Sequence, residues 1–579
     1  MGGVCSWKRD YSADEYGLHR GISCTYFKNG SSKEQRTLFL PNASYCPRGG
    51  SCPSLMELCI YKIRQEIYNY TSFYMLPRDI SQLIFNDLVS CHSLSDSSIQ
   101  AFRECDLQDI CLADCPGVKD SWMDVISSQG SSLLSIHLSS SDVTDVGLAQ
   151  LKNCTNLQAI SLDNLDNISE HGLNQLDGCL SNLVYLGFKK SNALTAEGMH
   201  ALSSLFNLAK LDFDRCPRIH GGLVYLKGLT KLKSLKIRCC KCFTDSDMES
   251  LAGLTNLKEL QISSVSITNV GVSYLKGLSN LISLTVEGCN VNASCLDPIS
   301  ALVSLQHLDL NRCSLSDDGC DKLSAFKHLK LLNLGFNDIT DKCLVHLKSL
   351  TRLESLNLDS CQIGDEGLAN LVGLLCLRNL QLSDTEVGNH GLRHLSGLSN
   401  LEEINLSFTL VTDCGLEKLS PLTTLKSLNL DAPQITDRGL AMLTGLTGVT
   451  HLDLFGAHIS DSGLNCLSYF KNLQSLDLCG GGLTDAGVNN IKYLNSLVIL
   501  NLSQNPNLTD KALNFISGLI ALVSLNVSCS RVTNEGLQYL KPLKNLSSLY
   551  LDFCYVTGSE LKKLQSKFLP NLVRFRPRS

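Results

Sequence analysis

Aromatic side chains are scarce in this sequence, 6% of 579 residues with two tryptophans among them. A core built from this chain must therefore be packed largely from aliphatic groups. The hydrophobic fraction of 44% supplies enough of them and excludes disorder over most of the length. A cationic excess is also missing. Fifty Lys and Arg face 56 Asp and Glu, a net charge of −6, so no nucleic-acid partner is expected, since such binding rests on neutralising phosphates. No apolar run approaches the roughly 18 residues of a spanning helix, and Met1-Gly-Gly-Val-Cys-Ser-Trp-Lys-Arg lacks the apolar stretch of a secretory signal. The expectation that follows is a reducing compartment, with the 27 cysteines as free thiols instead of a disulfide framework. The sequons Asn405-Leu-Ser and Asn501-Leu-Ser fall inside apolar strand patterns and are read as chance. Catalytic signatures are absent too: there is no Gly-x-x-x-x-Gly-Lys, His-Glu-x-x-His or Gly-x-Ser-x-Gly, and no carboxylate pair outside the repeat described next. The sequence reads as a non-enzyme without cofactor or metal.

What the chain has is a period. From about residue 90 onward, Leu-x-x-Leu-x-Leu recurs, followed by Ile/Val-Thr-Asp-x-Gly-Leu-x-x-Leu. Leu425-Lys-Ser-Leu-Asn-Leu430 and Ile435-Thr-Asp-Arg-Gly-Leu-Ala-Met-Leu443 form one copy. The acidic or amide marker falls at Asp317, Asp341, Asp365, Asn389, Asp413, Asp437, Asp461 and Asp485, each 24 residues after the last. Fainter copies reach back to Asp96 and forward to Gly558, for about 20 units. Leu428 and Leu430 alternate as a short strand, Thr436 or Asp437 can cap a helix carrying Leu440 and Leu443 on one face, and Gly445 can end it. One unit cannot bury its own leucines, so neighbours must stack. This pattern resembles the leucine-rich repeat family over more than four fifths of the chain. The resemblance implies an α/β solenoid: a curved, parallel inner sheet with short outer helices, roughly 95 Å along its arc at about 4.8 Å per strand.

Cys216, Cys240, Cys289, Cys313, Cys361 and Cys554 sit three residues after the last strand leucine or its equivalent, with Asn337 and Asn505 in the same slot. In repeats of this style that slot points inward beneath the turn. The set Cys239, Cys240 and Cys242 lacks a second ligand pair at zinc-finger spacing and is not read as a metal site. Between the last two leucines an outward ladder runs from Asp309 through Asn333, Asn357, Gln381, Asn405, Asn429, Asp453, Asp477, Asn501 and Asn526 to Tyr550. It is read either as stacked amides that keep the sheet soluble or as part of a binding face. Just beyond the strands, Lys189, Lys190, Arg215, Lys236, Arg238 and Arg312 favour the N-terminal half. Asp359, Asp384, Asp431, Asp453 and Asp477 favour the C-terminal half. Phe336, Phe408, Phe455 and Phe553 are rings where a solvated turn is expected. The concave-face residues expected to meet a protein partner are Arg215, Lys236, Arg238, Arg312, Phe336, Phe408, Asp431 and Phe455.

Ahead of the repeats, residues 1–52 read as a flexible lead. Its first residues fit Met-Gly-x-x-x-Ser, with Gly2 as an N-myristoylation acceptor and Cys5 as a second acylation point, an arrangement that would attach the chain peripherally to a membrane. Residues 53–90 read as two helices. The first places Leu55, Leu58, Cys59, Ile63 and Ile67 on one apolar face; the second opens at Leu76-Pro77 and buries Ile80, Leu83, Ile84 and Leu88. Ser54, Leu55, Cys59 and Ile63 resemble an elongin-binding box, and Leu76 to Leu88, including Phe85, resembles the start of an F-box whose later half is missing. These resemblances imply an elongin or Skp-type adaptor and a cullin as partners, docked through Leu55, Cys59, Leu76, Pro77, Ile80, Ile84 and Phe85. The same helices can also cap the first repeat of the solenoid at 91–579, and capping and docking are not exclusive. The expected role is a protein-recruiting subunit of a cullin-type ubiquitin ligase in the cytoplasm, with the nucleus left open. The alternatives are a membrane-tethered signalling scaffold and, more remotely, an enzyme inhibitor. At the far end, Arg574, Arg576 and Arg578 with Pro577 are read as guarding an edge strand.

Overall fold

A computed structural model describes residues 54–576, apart from 114 and 116. Gly2, Cys5, the lead of residues 1–52, Pro577 and Arg578 lie outside the described residues.

In most units two aliphatic residues, usually leucines, flank one polar residue, which puts both on the same side of a short strand. Twenty such strands, β1 (Asp109–Leu112) to β20 (Arg574–Arg576), pair in parallel, each with the next in chain order. Among the described residues β1 pairs only with β2 (Ser135–Ser139), and β20 only with its predecessor, so the sheet is open. Register advances by one unit per strand, with Ile404 opposite Leu428 and Leu428 opposite Leu452. Short α- or 3₁₀-helices return the chain. Thr436 caps the helix Asp437–Met442, its Oγ1 accepting from the Arg438 amide at 3.3 Å. That helix ends at Met442, short of Gly445, the residue expected to stop it. Leu425, Leu428, Leu430, Leu440 and Leu443 are all buried, each worth about 1.5–3 kcal/mol once shielded from water. The architecture is the expected α/β solenoid.

The Thr-Asp-x-Gly-Leu motif does more than start a helix. Asp413 accepts from the amide and hydroxyl of Thr436 in the next unit, at 2.8 and 2.6 Å. Asp461 does the same for Thr484 and Asp510 for Thr533. The glycine of the next unit makes room for that reach: a Cβ on Gly439 would lie 2.3 Å from Oδ1 of Asp413, and one on Gly487 would lie 2.2 Å from Oδ1 of Asp461. Asp96 shows the substitution that proves the geometry. The next unit carries Lys119 in place of threonine, and Asp96 binds Lys119 Nζ at 2.7 Å and Trp122 Nε1 at 2.6 Å instead.

At the N-terminal end, helices α1 (Leu55–Gln65) and α2 (Arg78–Ser90) cover the first unit. Gln82 closes the open edge of β1, donating to the Asp109 carbonyl at 2.7 Å and accepting from the Gln108 and Asp109 amides. Ile84, Phe85 and Leu88 are buried, with Phe85 edge-on to Phe102 at 5.3 Å. The face of α1 differs from the expectation. Arg64 pairs with Asp87 of α2 at 3.0 Å and fixes the helix rotation, so Ile60, Ile63 and Ile67 turn inward while Leu55, Leu58 and Cys59 face out. No helix among the described residues is long and apolar enough to cross a membrane.

Candidate functional site

After each strand the chain must turn before its return leg, and nearly every unit does so through one residue with left-handed backbone. Lys190, Arg215, Cys239, Ser264, Arg312, Phe336, Ser360, Asp384, Phe408, Gln504, Cys529 and Phe553 have φ between 51° and 59°. Gly456 and Gly480 occupy the same place at 69° and 79°. The amide of this residue donates to a carbonyl of the next unit, as Phe336 does to Asp359 at 2.7 Å and Phe408 to Asp431 at 2.9 Å. The backbone is thereby pinned while the side chain projects outward. A non-glycine residue in this conformation costs about 1–2 kcal/mol, so each such side chain is held against a standing strain.

This rim row gathers four of the eight expected partner-binding residues: Arg215, Arg312, Phe336 and Phe408. All four are exposed, Phe408 by 62% and Phe336 by 40%. Adjacent rim residues also touch. The Arg312 guanidinium lies 4.3 Å from the centre of the Phe336 ring, an attraction that preorganises both. The other four sit elsewhere. Arg238, Asp431 and Phe455 occupy the position just inside the rim and are half-buried, so Phe455 is not the exposed ring expected of it. Lys236 is a ladder residue only 3% exposed and paired with Glu259 at 3.0 Å. It offers no free charge to a partner, because neighbouring strands crowd the concave side.

The same crowding corrects the reading of the ladder. Asn333, Asn357, Gln381, Asn405, Asn429 and Asp453 are buried, not solvated. Most of them bind backbone two residues ahead and not one another: the Asn357 side chain accepts from the Asp359 amide at 2.7 Å, Asn429 from Asp431 at 3.0 Å and Asp453 from Phe455 at 3.0 Å. Lateral bonds do occur, as from Asn501 to Asp477 at 2.8 Å. Burial, reinforced by the charges of Asp477 and Asp431, raises the Asp453 carboxyl to about 7, and burial raises Asp309 and Asp359 to about 6.

The inward slot is as expected. The Cys313 thiol donates to the Val286 carbonyl at 2.9 Å and Cys361 to Leu334 at 3.2 Å. Asn337, in the same slot, donates to the Leu310 and Leu334 carbonyls and accepts from the Cys313 and Leu315 amides. Burial pushes Cys361 up to about 12 and Cys289 to about 11, which makes them poor nucleophiles. Cys240 occupies this slot, Cys239 the rim, and Cys242 donates to the Cys216 carbonyl at 3.6 Å. Among the described residues no group of three His, Cys, Asp or Glu is arranged to hold a metal, and every cysteine is a free thiol.

The adaptor-docking residues divide. Leu55 (78% exposed), Cys59, Leu76 and Pro77 are exposed, and Met56, Leu58, Tyr61, Tyr74 and Met75 extend the exposed apolar surface around them. Ile80 is half-buried. Ile84 and Phe85, on the inner face of α2, are core residues and cannot touch an adaptor. Sequence reasoning also missed a polar group on the first strands, where Cys111, His137 and Asp163 meet on the concave side. Cys111 and His137 are register partners 26 residues apart, whereas Asp163 lies two residues beyond Ser161, the partner of His137, so no single repeat spacing links the three.

A family model described as a leucine-rich repeat region matches residues 280–578, just over half of the chain, and a second, single-repeat model matches 228–252. No curated protein matches. Among solved structures, the TLR13–ssRNA13 complex aligns at 21% identity over 81% of this chain and 68% of that one, with a TM-score of 0.47. The mouse RP105/MD-1 complex aligns at 19% over 83% and 81%, with a TM-score of 0.44. An internalin (inlF) from Listeria monocytogenes aligns at 23% over 58% and 89%, with a TM-score of 0.43.

Proposed function

We propose a function from one premise: the chain belongs to the leucine-rich repeat family. It is a non-catalytic solenoid that binds a protein partner, and the rim row of left-handed residues is where it does so. The observation that carries this reading is the row itself, where strained backbone presents Arg215, Arg312, Phe336 and Phe408 to solvent instead of the glycine that geometry prefers. Pinned backbone and the stacking of Arg312 on Phe336 reduce the entropy lost on binding, and Arg and aromatic side chains concentrate interface energy. The cationic stretch from Lys189 to Arg312 and the acidic residues beyond Asp359 set the orientation of the partner.

The finer reading is a recruiting subunit of a cullin-type ubiquitin ligase, with α1 as the docking helix. Its support is the exposed pair Leu55 and Cys59 on successive turns, in the positions of the elongin-box resemblance, while the F-box-like residues Ile84 and Phe85 are committed to the core. Free thiols throughout the solenoid suit the reducing cytoplasm this role requires. The competing reading is a membrane-tethered scaffold held by acylation of Gly2 and Cys5. Affinity purification of the tagged full chain separates the two. Recovery of an elongin or Skp-type adaptor with a cullin, lost on Leu55→Asp and Cys59→Asp but kept on Phe408→Gly, supports the ligase role. Membrane partitioning that depends on Gly2, with no adaptor recovered, overturns it. For the rim, Phe336→Ala with Phe408→Ala is expected to weaken the co-purified substrate at least tenfold, and unchanged recovery would refute the placement.

A further inference from the structure

On the concave face of the first three strands, side chains one unit apart converge on a histidine. β1, β2 and β3 (Ala159–Asp163) pair in register, with Cys111 opposite His137 and His137 opposite Ser161. The Cys111 sulfur lies 3.8 Å from Nδ1 of His137, and Nε2 of the same ring lies 3.0 Å from Oδ2 of Asp163. Ser161 Oγ donates to the other carboxylate oxygen at 3.1 Å and fixes its orientation. A carboxylate only accepts hydrogen bonds, so Nε2 carries a proton. Burial disfavours a charge on the ring, but Asp163 and Cys111 outweigh it and raise His137 to about 9. Nδ1 is then protonated as well and points its hydrogen at the sulfur. A cysteine that receives a hydrogen bond from an imidazolium is poised as a nucleophile.

We propose that Cys111 is a nucleophilic thiol, oriented and activated by His137 and Asp163, that reacts with hydroperoxides. In the step, the thiolate sulfur attacks a peroxide oxygen. An S–O bond forms at the terminal peroxide oxygen as the O–O bond breaks, and the departing hydroxide, or alkoxide from an organic hydroperoxide, takes the Nδ1 proton of His137 and leaves as water or the alcohol. Sulfur is oxidised by two electrons to a sulfenic acid while the peroxide is reduced. Cys111 is the reacting residue; His137 and Asp163 position it. Of the charged groups nearby, Lys189 stands opposite Asp163 in register and is exposed at the end of its strand. Asp109, on the same face of β1, is held by Ser135 Oγ at 2.6 Å. Cys115 is buried, and Tyr185 on the following strand directs its hydroxyl to Asp212 at 3.4 Å. α2 meets the edge of β1 through the uncharged Gln82.

The site stands apart from partner recognition and is tested separately. Full-length protein is treated with hydrogen peroxide and dimedone, and capture is read by tandem mass spectrometry. The tryptic peptide 104–119 also carries the buried Cys105 and Cys115 as internal references. At pH 6.5, Cys111 is expected to be captured at least tenfold faster than the exposed Cys376 and Cys414. Its rate should change less than about threefold between pH 6.5 and 8.5, where an ordinary thiol changes about fiftyfold. His137→Gln and Asp163→Asn should restore the ordinary pH profile. A fiftyfold dependence in the wild type, or a profile unmoved by His137→Gln, would overturn the proposal. If either variant fails to fold, the wild-type profile alone decides.

Discussion

The pairing of each aspartate with the glycine of the next unit predicts a coupling that can be measured. Asp413→Ala leaves the buried-edge amide and hydroxyl of Thr436 without the acceptor they share. At about 1–3 kcal/mol for each stranded group, partly relieved by water, the loss is about 3 kcal/mol. Gly439→Ala evicts the same carboxylate by sterics, since its Cβ would lie 2.3 Å from Oδ1. It recovers about 1 kcal/mol of helix propensity and so costs about 2. In the Asp413→Ala background that obstacle is gone. What remains close is Leu416 Cδ1 at 2.9 Å, the mobile end of a side chain, and Gly439→Ala should there stabilise by about 1 kcal/mol. The double mutant is expected to be about 3 kcal/mol more stable than the sum of the single effects. Because a solenoid unfolds in neighbouring blocks, the cycle is best read as hydrogen-exchange protection at the Thr436 amide, supported by urea titration. A coupling energy near zero would show that glycine is needed there for some reason other than the approach of Asp413.

Two further outcomes follow from buried polar groups. Asn337→Ala strands the Cys313 and Leu315 amides and should cost about 3 kcal/mol in denaturant titration, whereas Asn337→Cys, which copies Cys313 and Cys361, should cost less than half as much. Asp453, raised to about 7, holds a proton in the folded chain that an unfolded chain releases near pH 4. Its contribution is therefore complete below pH 4 and is lost as pH rises through 7. Asp453→Asn, the residue that the two preceding units carry at Asn405 and Asn429, should flatten the decline in melting temperature between pH 5 and 8 and leave the variant more stable than wild type at pH 8.

The leucine spacing disclosed the fold because every unit repeats one burial problem with one answer. The role of the Asp marker was only half legible. Within one unit it looks like a helix cap, and its true partner, Thr436 for Asp413, lies 23 residues on across a lateral contact. The rim row was legible as positions just past the strands, which singled out Arg312, Phe336 and Asp384, but its left-handed backbone was not, since these residues adopt a conformation usually announced by glycine. Lys236, read as lying just beyond its strand, sits in the middle of Ser234–Arg238; period-2 alternation correctly sent Asn405 to the concave side. It could not reveal that strands about 4.8 Å apart shield what points there. Apolar periodicity found α1 but not its rotation, which the Arg64–Asp87 pair sets. Cys111, His137 and Asp163 stayed hidden because the earliest units are the faintest.

The reach of one aspartate into the following threonine has a consequence for how such a chain changes length over generations. Most tiles carry both halves of the joint, a hook for the successor and a catch for the predecessor. A tandem copying error of one whole unit, 24 or 25 residues, would therefore insert a piece that fits at both seams on arrival, while a slip that removed one half of the joint would leave a hook with nothing to hold.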